Sequence, residues 1–196
     1  MEAMNLILAS ASPRRSELLK ALGLNFRVEP YLGDEPAPLT EELGNPGAYV
    51  EKLARLKAKS NLSEGIIISA DTVVVLGGEI LGKPKSTEEA IAMLKTMRGQ
   101  THQVFTGVCV RNGEQIESAH EITRVRFGHV SDEFIAAYVA TGEPMDKAGA
   151  YGAQGKGALL VEKIEGDYWN VVGLPLFRLE KMLRNFGVTL ETVWNT

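Results

Sequence analysis

Between Ile66 and Pro84 the chain reads IIISADTVVVLGGEILGKP, a run of apolar and β-branched residues broken by one carboxylate, Asp71. A strand that is apolar on both faces is buried on both faces, so this stretch predicts a central strand of a covered sheet. An acid inside such a strand costs several kcal/mol unless a cation, a metal or a set of donors meets it. Whatever fold the chain adopts must therefore bring a partner to Asp71. Gly77 and Gly78 supply the positive φ of a two-residue hairpin, which predicts that Glu79 to Leu81 return antiparallel and carry Lys83 towards the same region. From the residues alone, Asp71 is either a structural acid bonding a nearby loop or the centre of a site.

The segments before this strand supply candidate partners. Leu6 to Ala9 reads as a buried strand that passes through Ser10, Ala11 and Ser12 into a helix, with Pro13 at its first position and Gly23 as its stop. Free backbone N–H groups and the positive end of the dipole converge at such a helix start, which suits an anion. Arg14 and Arg15 in the first turn oppose the dipole, so a bound anion explains them better than helix stability does; the alternative is two solvated arginines. Asn25 to Glu29 predicts a second strand, followed by a loop rich in Pro, Gly and acids, in which Glu35 either faces a metal or is one more solvated acid. Asn45 and Pro46 open a helix to about Ser60 with Tyr49, Val50, Leu53 and Leu56 on its apolar stripe. Lys57 falls on or beside that stripe, where it needs an anionic partner or must snorkel outward.

After the hairpin, Ser86 and Glu89 form a capping box for a scaffold helix that ends at Gly99. His102 precedes a strand from Val104 to Val110 and reads as a hydrogen-bonded structural residue, since no second His or Cys stands at ligand spacing. Asn112 and Gly113 signal a hairpin into the more polar strand Ile116 to Phe127, and Ser131 starts a helix ending near Gly142. The segment from Gly142 to Gly173 holds seven glycines beside Asp146, Lys147 and Gln154. It is either a backbone folded tightly against a ligand or a chain of turns joining short strands such as Ala158 to Ile164. Pro175 opens a last amphipathic helix closed by Gly187, and the final nine residues are weakly specified. The alternation of strands and helices with central hairpins predicts an α/β fold: an elongated mixed sheet flanked by helices, with a deep cleft between two lobes of a single domain spanning 1–196.

Charge and composition narrow the function. A net charge of -4 exerts no overall pull on a polyanion, so no stable nucleic-acid complex is expected. The single cysteine, Cys109, excludes an internal disulfide and points to the cytoplasm, and neither a signal peptide nor a membrane span is read in the N-terminal stretch. Two arginines, two lysines and the acids Asp71 and Glu35 suit a polyphosphate ester, because guanidinium forks match phosphate oxygens and carboxylates can hold Mg²⁺ or orient water. No Walker loop and no GxGxxG fingerprint is present, which disfavours P-loop and Rossmann enzymes.

The blocks LASASPRRSELLKALGL, SADTVVVLGGEILGKP, GQTHQVFTGV, and GEPMDKAGAYGAQG with GDYWNVVGLPL, in this order, resemble the signature blocks of the Maf family of nucleoside triphosphate pyrophosphatases. The resemblance implies hydrolysis of a nucleoside triphosphate between the α and β phosphorus atoms, a divalent metal cofactor (Mg²⁺ or Mn²⁺), and a fold related to the inosine triphosphate pyrophosphatases. Family members are commonly dimers, so a homodimer is also implied. By the same resemblance Asp71 is the catalytic proton acceptor, Glu35 and Asp71 are metal ligands, and Ser10, Ser12, Arg14, Arg15, Lys57 and Lys83 bind the triphosphate. The chain is similar to the branch that prefers dTTP and UTP, whose specificity positions are occupied by Arg14, Thr72 and Gln154. A glutamine amide offers a donor and an acceptor that fit O4 and N3–H of uracil or thymine. Ala153 stands where the branch often has isoleucine, which enlarges the pocket and extends the expectation to modified pyrimidines. Two other readings use the same residues: a pyrophosphatase for inosine or 7-methylguanosine triphosphate, and a nucleotide-sensing regulator of cell division.

Overall fold

The computed structural model describes residues 5–60 and 63–195; Met1–Met4, part of the N-terminal stretch read above, lie outside the described residues. Among the described residues seven strands form one mixed sheet. β3 (Ile66–Leu76) is the long apolar strand; on one side β5 (Thr101–Asn112) pairs antiparallel with it, β6 (Gln115–Phe127) antiparallel with β5, and β7 (Val161–Glu165) antiparallel with β6. On the other side stand β1 (Leu6–Leu8), parallel to β3, and β2 (Phe26–Val28), parallel to β1. The hairpin strand β4 (Glu79–Leu81) lies against the far end of β3.

This pairing leaves one edge of β3 divided. β5 covers Ile67 to Val75 without a break. On the opposite edge β1 pairs with Ile66 to Ile68 and β4 with Val74 to Leu76, so among the described residues Ser69 to Val73 have no strand beside them there. Asp71 sits at the middle of that gap. Central burial and a missing neighbour at the same residues make a site at the heart of the sheet possible.

Alternation along β3 sends its residues to two different layers. Ile67, Val73 and Val75 pack with Val50, Leu53, Ala54 and Ala58 of helix α3 (Pro46–Ser60) on one face. Ile68 and Ala70 pack on the other face with α1 (Pro13–Ala21) and α7 (Leu176–Asn185), through Leu18, Leu19, Leu179, Met182 and Leu183. Val74, further along that face, joins Leu94 and Met97 of α4 (Thr87–Met97) and Ile135 and Val139 of α5 (Asp132–Ala140). Each Val, Leu, Ile or Met among them contributes about 1.5–3 kcal/mol when fully buried, so both layers hold the sheet firmly.

Several local expectations are corrected. The loop after β2 contains a short helix, α2 (Thr40–Leu43), and two more short helices follow later, α6 (Tyr168–Val172) and α8 (Leu190–Trp194). Asn112 pairs with Gln115 inside the ladder, so the second hairpin turns on Gly113 and Glu114, with Gly113 at φ 57°. His102 lies within β5 and not before it. Ser86 caps α4 by accepting from Glu89 N–H, but the Glu89 carboxylate takes Lys85 N–H and not that of the cap. Ala158 to Leu160 belong to a 3₁₀ segment (Gly155–Leu160), and only then does β7 begin.

Candidate functional site

The gap in β3 opens into a pocket of about 810 Å³ lined by residues from both faces of the sheet. All ten residues singled out from the sequence line it: Ser10, Ser12, Arg14, Arg15, Glu35, Lys57, Asp71, Thr72, Lys83 and Gln154. With Lys147 and Asp146 the lining carries five cationic and three acidic side chains, a local positive excess in a chain of net charge -4.

Asp71 is buried, and its Oδ1 accepts a 2.6 Å bond from Lys57 Nζ. The same ammonium lies 2.8 Å from Glu35 Oε1, so Lys57 bridges two carboxylates and does not snorkel. Close packing of α3 makes this reach possible. Gly107, opposite Asp71 in β5, lets the helix backbone at Val50 and Glu51 lie against the strand, and Ser69 Oγ donates to Ala54 O at 2.6 Å. Burial pushes the Asp71 carboxyl above its ordinary value, against the pull of Lys57 and Arg15. For Glu35 burial acts in the same direction, but the hydrogen bond and charge of Lys57, with Lys83 and Arg15, outweigh it and hold the group below its ordinary value. Two carboxylates on one lysine are thus pushed in opposite directions.

Thr72, next in the strand, faces the other layer. Arg15 is buried there, with Nε on Gly173 O at 2.8 Å, Nη1 on Ser10 Oγ at 3.0 Å and Nη2 on Thr72 Oγ1 at 3.2 Å. It is no solvated arginine: three of its five N–H groups fix the pocket wall and two remain. Thr106 Oγ1 donates to Asn170 O at 2.9 Å, so the 3.0 Å contact between the two threonines must have Thr72 as its donor. The hydroxyl of Thr72 is therefore oriented before any ligand arrives. Thr106 and Asn170 were not legible as site residues, since their role depends on the pairing of β3 with β5.

Arg14 is partly exposed and 3.7 Å from Asp146 Oδ2, across the pocket mouth. Ser12 occupies the N-cap of α1 without a side-chain capping bond, and its own N–H donates to Ser10 Oγ at 3.3 Å. Lys83 is exposed at the rim, carried there by the β3–β4 hairpin. Gln154 is partly buried on the glycine-rich loop. His102 lies outside the pocket lining. It is buried, its Nε2 is 2.7 Å from Tyr151 Oη, and burial lowers its pKa to about 4, which keeps the ring neutral.

Among the described residues no cluster of three or more His, Cys, Asp or Glu side chains forms a metal cage. Asp71 and Glu35 do provide two hard carboxylate donors at one point. That set suits Mg²⁺, which is commonly held by one or two carboxylates and completes its shell with water and phosphate oxygens. Among the described residues no helix is long and apolar enough to cross a membrane.

Comparison with known proteins gives the ancestry of this arrangement. The family model described as "Maf-like protein" matches residues 5–186. A dTTP/UTP pyrophosphatase of Moorella thermoacetica is 52% identical over 190 residues, covering 93% of this chain and 95% of that protein. Proteins of the same name from Aquifex aeolicus, at 45% identity (96% of this chain, 99% of that protein), and Thermococcus onnurineus, at 51% (93% and 99%), are similar over comparable spans. Matched along most of its length by the family and by relatives about half identical to it, the chain belongs to the Maf family.

Proposed function

We propose that this protein hydrolyses dTTP and UTP, and modified pyrimidine triphosphates of similar shape, to the monophosphate and pyrophosphate. The observation that carries the reading is the buried Asp71 carboxylate, set in an unpaired stretch of the central strand beneath a pocket whose cations come from separate segments. The names of the relatives supply the nucleotides. In this reading water attacks the α-phosphorus, the bond from that phosphorus to the oxygen bridging to the β-phosphate breaks, pyrophosphate leaves, and the water proton passes to Asp71. A raised carboxyl pKa makes Asp71 a better base than an ordinary aspartate. Glu35, held anionic, acts with Asp71 as the anchor for a divalent ion, which when bound would neutralise phosphate charge. Arg14, Lys83, the Ser12 hydroxyl and the remaining Arg15 N–H groups grip the triphosphate, with Ser10, Thr72 and Lys57 holding the wall behind it.

The same proposal makes the chain a single domain with a deep cleft between two lobes, in plan like the inosine triphosphate pyrophosphatases. The division of one core face into a cluster around α1 and α7 and another around α4 and α5, with the Arg15, Thr72 and Thr106 network between them, supports it. A homodimer and a cytoplasmic setting also belong to the proposal. The family resemblance supports the first and the lone free thiol of Cys109 the second.

Pyrophosphate release from a panel of common and modified triphosphates with Mg²⁺ or Mn²⁺ tests the substrate class; turnover confined to purine triphosphates would overturn it. The Asp71 environment adds a pH signature. In the metal-free protein the Asp71 carboxyl is expected to take up its proton at a higher pH than an ordinary aspartate, because burial disfavours its charged form. An Asp71 carboxyl carbon resonance that titrates at or below the ordinary aspartate range in the metal-free protein would contradict that environment. Replacing Gln154 with Ala is expected to reduce the preference for UTP over CTP about tenfold or more, since the amide can no longer distinguish the two base edges.

A further inference from the structure

The loop that carries Gln154 is held at both ends by side chains outside it. Gly152 N donates to Tyr138 Oη at 3.3 Å on one side of Gln154. On the other, Gly157 N donates to Glu143 Oε1 at 2.9 Å and Lys156 N to Glu143 Oε2 at 3.1 Å. Tyr138 Oη in turn donates to Glu143 Oε1 at 3.1 Å, which ties the two anchors together. The Glu143 carboxylate thus caps the start of the 3₁₀ segment at Gly155, where backbone N–H groups would otherwise lack partners. The glycines make this approach possible. Gly155 has φ 67° and a Cβ there would stand 2.9 Å from Glu143 Oε2, while one at Gly157 would stand 2.6 Å from Tyr138 Oη. Inside this frame the Gln154 side chain lines the pocket, and among the described residues its amide has no hydrogen-bond partner.

We propose that Glu143, working with Tyr138, is a positioning residue for base selection: it fixes the Gly152–Gly157 backbone so that the Gln154 side chain is rooted at the pocket wall with its amide free to pair with the pyrimidine edge. The proposal rests on the reading of Gln154 as the base-recognising group. A recognising side chain rooted on a fixed backbone discriminates well because a mismatched edge leaves its donor and acceptor unpaired, whereas a mobile loop can turn to suit either edge. The effect of Glu143 should therefore fall on KM and on base preference more than on kcat.

The test compares Glu143→Ala, Glu143→Gln and Gln154→Ala with the unaltered protein, measuring kcat and KM for UTP, dTTP, CTP and dCTP and amide hydrogen exchange at Lys156 and Gly157. Glu143→Ala is expected to raise KM for UTP and dTTP about tenfold, to leave KM for CTP nearly unchanged, and to speed exchange at both amides. Glu143→Gln, whose side-chain oxygen still accepts from one of the two N–H groups, should fall between, and it carries the comparison if the alanine variant fails to fold. An equal loss on all four nucleotides, or faster exchange with preference intact, would overturn the proposal. If Gln154→Ala keeps the preference and Glu143→Ala loses it, the reading of Gln154 fails while Glu143 stands as the positioning group for another part of the loop.

Discussion

Asp71→Asn is expected to lower kcat for pyrophosphate release roughly a hundred- to ten-thousand-fold, the usual contribution of a positioned general base, while leaving the fold intact. The substitution keeps the shape of the side chain and an oxygen to accept from Lys57 Nζ. It removes the charge and the basic lone pair. Removing one partner of a buried ion pair normally strands the other, but Lys57 retains Glu35 at 2.8 Å, so the ammonium is not orphaned. Circular dichroism and a melting curve close to those of the unaltered protein, beside near-complete loss of turnover, are the expected pair of results. Turnover within a few-fold of normal would end the assignment of Asp71.

The second large effect is expected at a residue with no functional group. A Cβ at Gly107 would overlap the carbonyl group of Val50 and stand 2.7 Å from Glu51 N, and these are backbone atoms that cannot rotate away. Gly107→Ala must therefore push α3 off the sheet or distort β5, at a cost of about 1–3 kcal/mol for overpacking. Because Lys57 rides on that helix opposite Asp71, the same shift withdraws the ammonium from the carboxylate. A misplacement of about 1 Å near reacting groups can cost on the order of a hundredfold in rate. Denaturant unfolding and kcat should fall together in Gly107→Ala. In the control Gly128→Ala, where the nearest atom to an added Cβ is 3.9 Å away and no positive φ is required, neither should change. A stable, fully active Gly107→Ala protein would show that α3 does not set the geometry of the site.

The site was legible where each signal was local. An acid in an apolar strand, a double glycine after it, arginines in the wrong turn of a helix and a lysine on an apolar stripe each conflict with a simple structural role. The structure brings those residues to one pocket. Less legible was whatever depended on pairing. Nothing in the spacing says that β1 and β4 share an edge of β3 and leave a gap, nor that Thr106 lies opposite Thr72. The short helices α2, α6 and α8 span four or five residues, too few for a 3.6-residue period to appear, and such helices persist through tertiary contacts. One signal for α6 was available in the sequence: Asp167 accepts from Trp169 N–H as its cap, and Gly173 ends it in the left-handed region. The slipped hairpin is equally physical, because Gly113 serves as the first turn residue and leaves Asn112 to pair. Glu143 lies within one of the quoted blocks, but its role could not be read there, since its link to Gly157 exists only once the glycine loop has closed.

The mechanism turns on where the water enters. Hydrolysis of dTTP in ¹⁸O-labelled water, with the products separated and weighed by mass spectrometry, tests that most directly. The label is expected in the thymidine monophosphate, with unlabelled pyrophosphate released beside it. Label in the pyrophosphate, or stepwise loss of single phosphates, would place the attack at another phosphorus and contradict the mechanism drawn from Asp71.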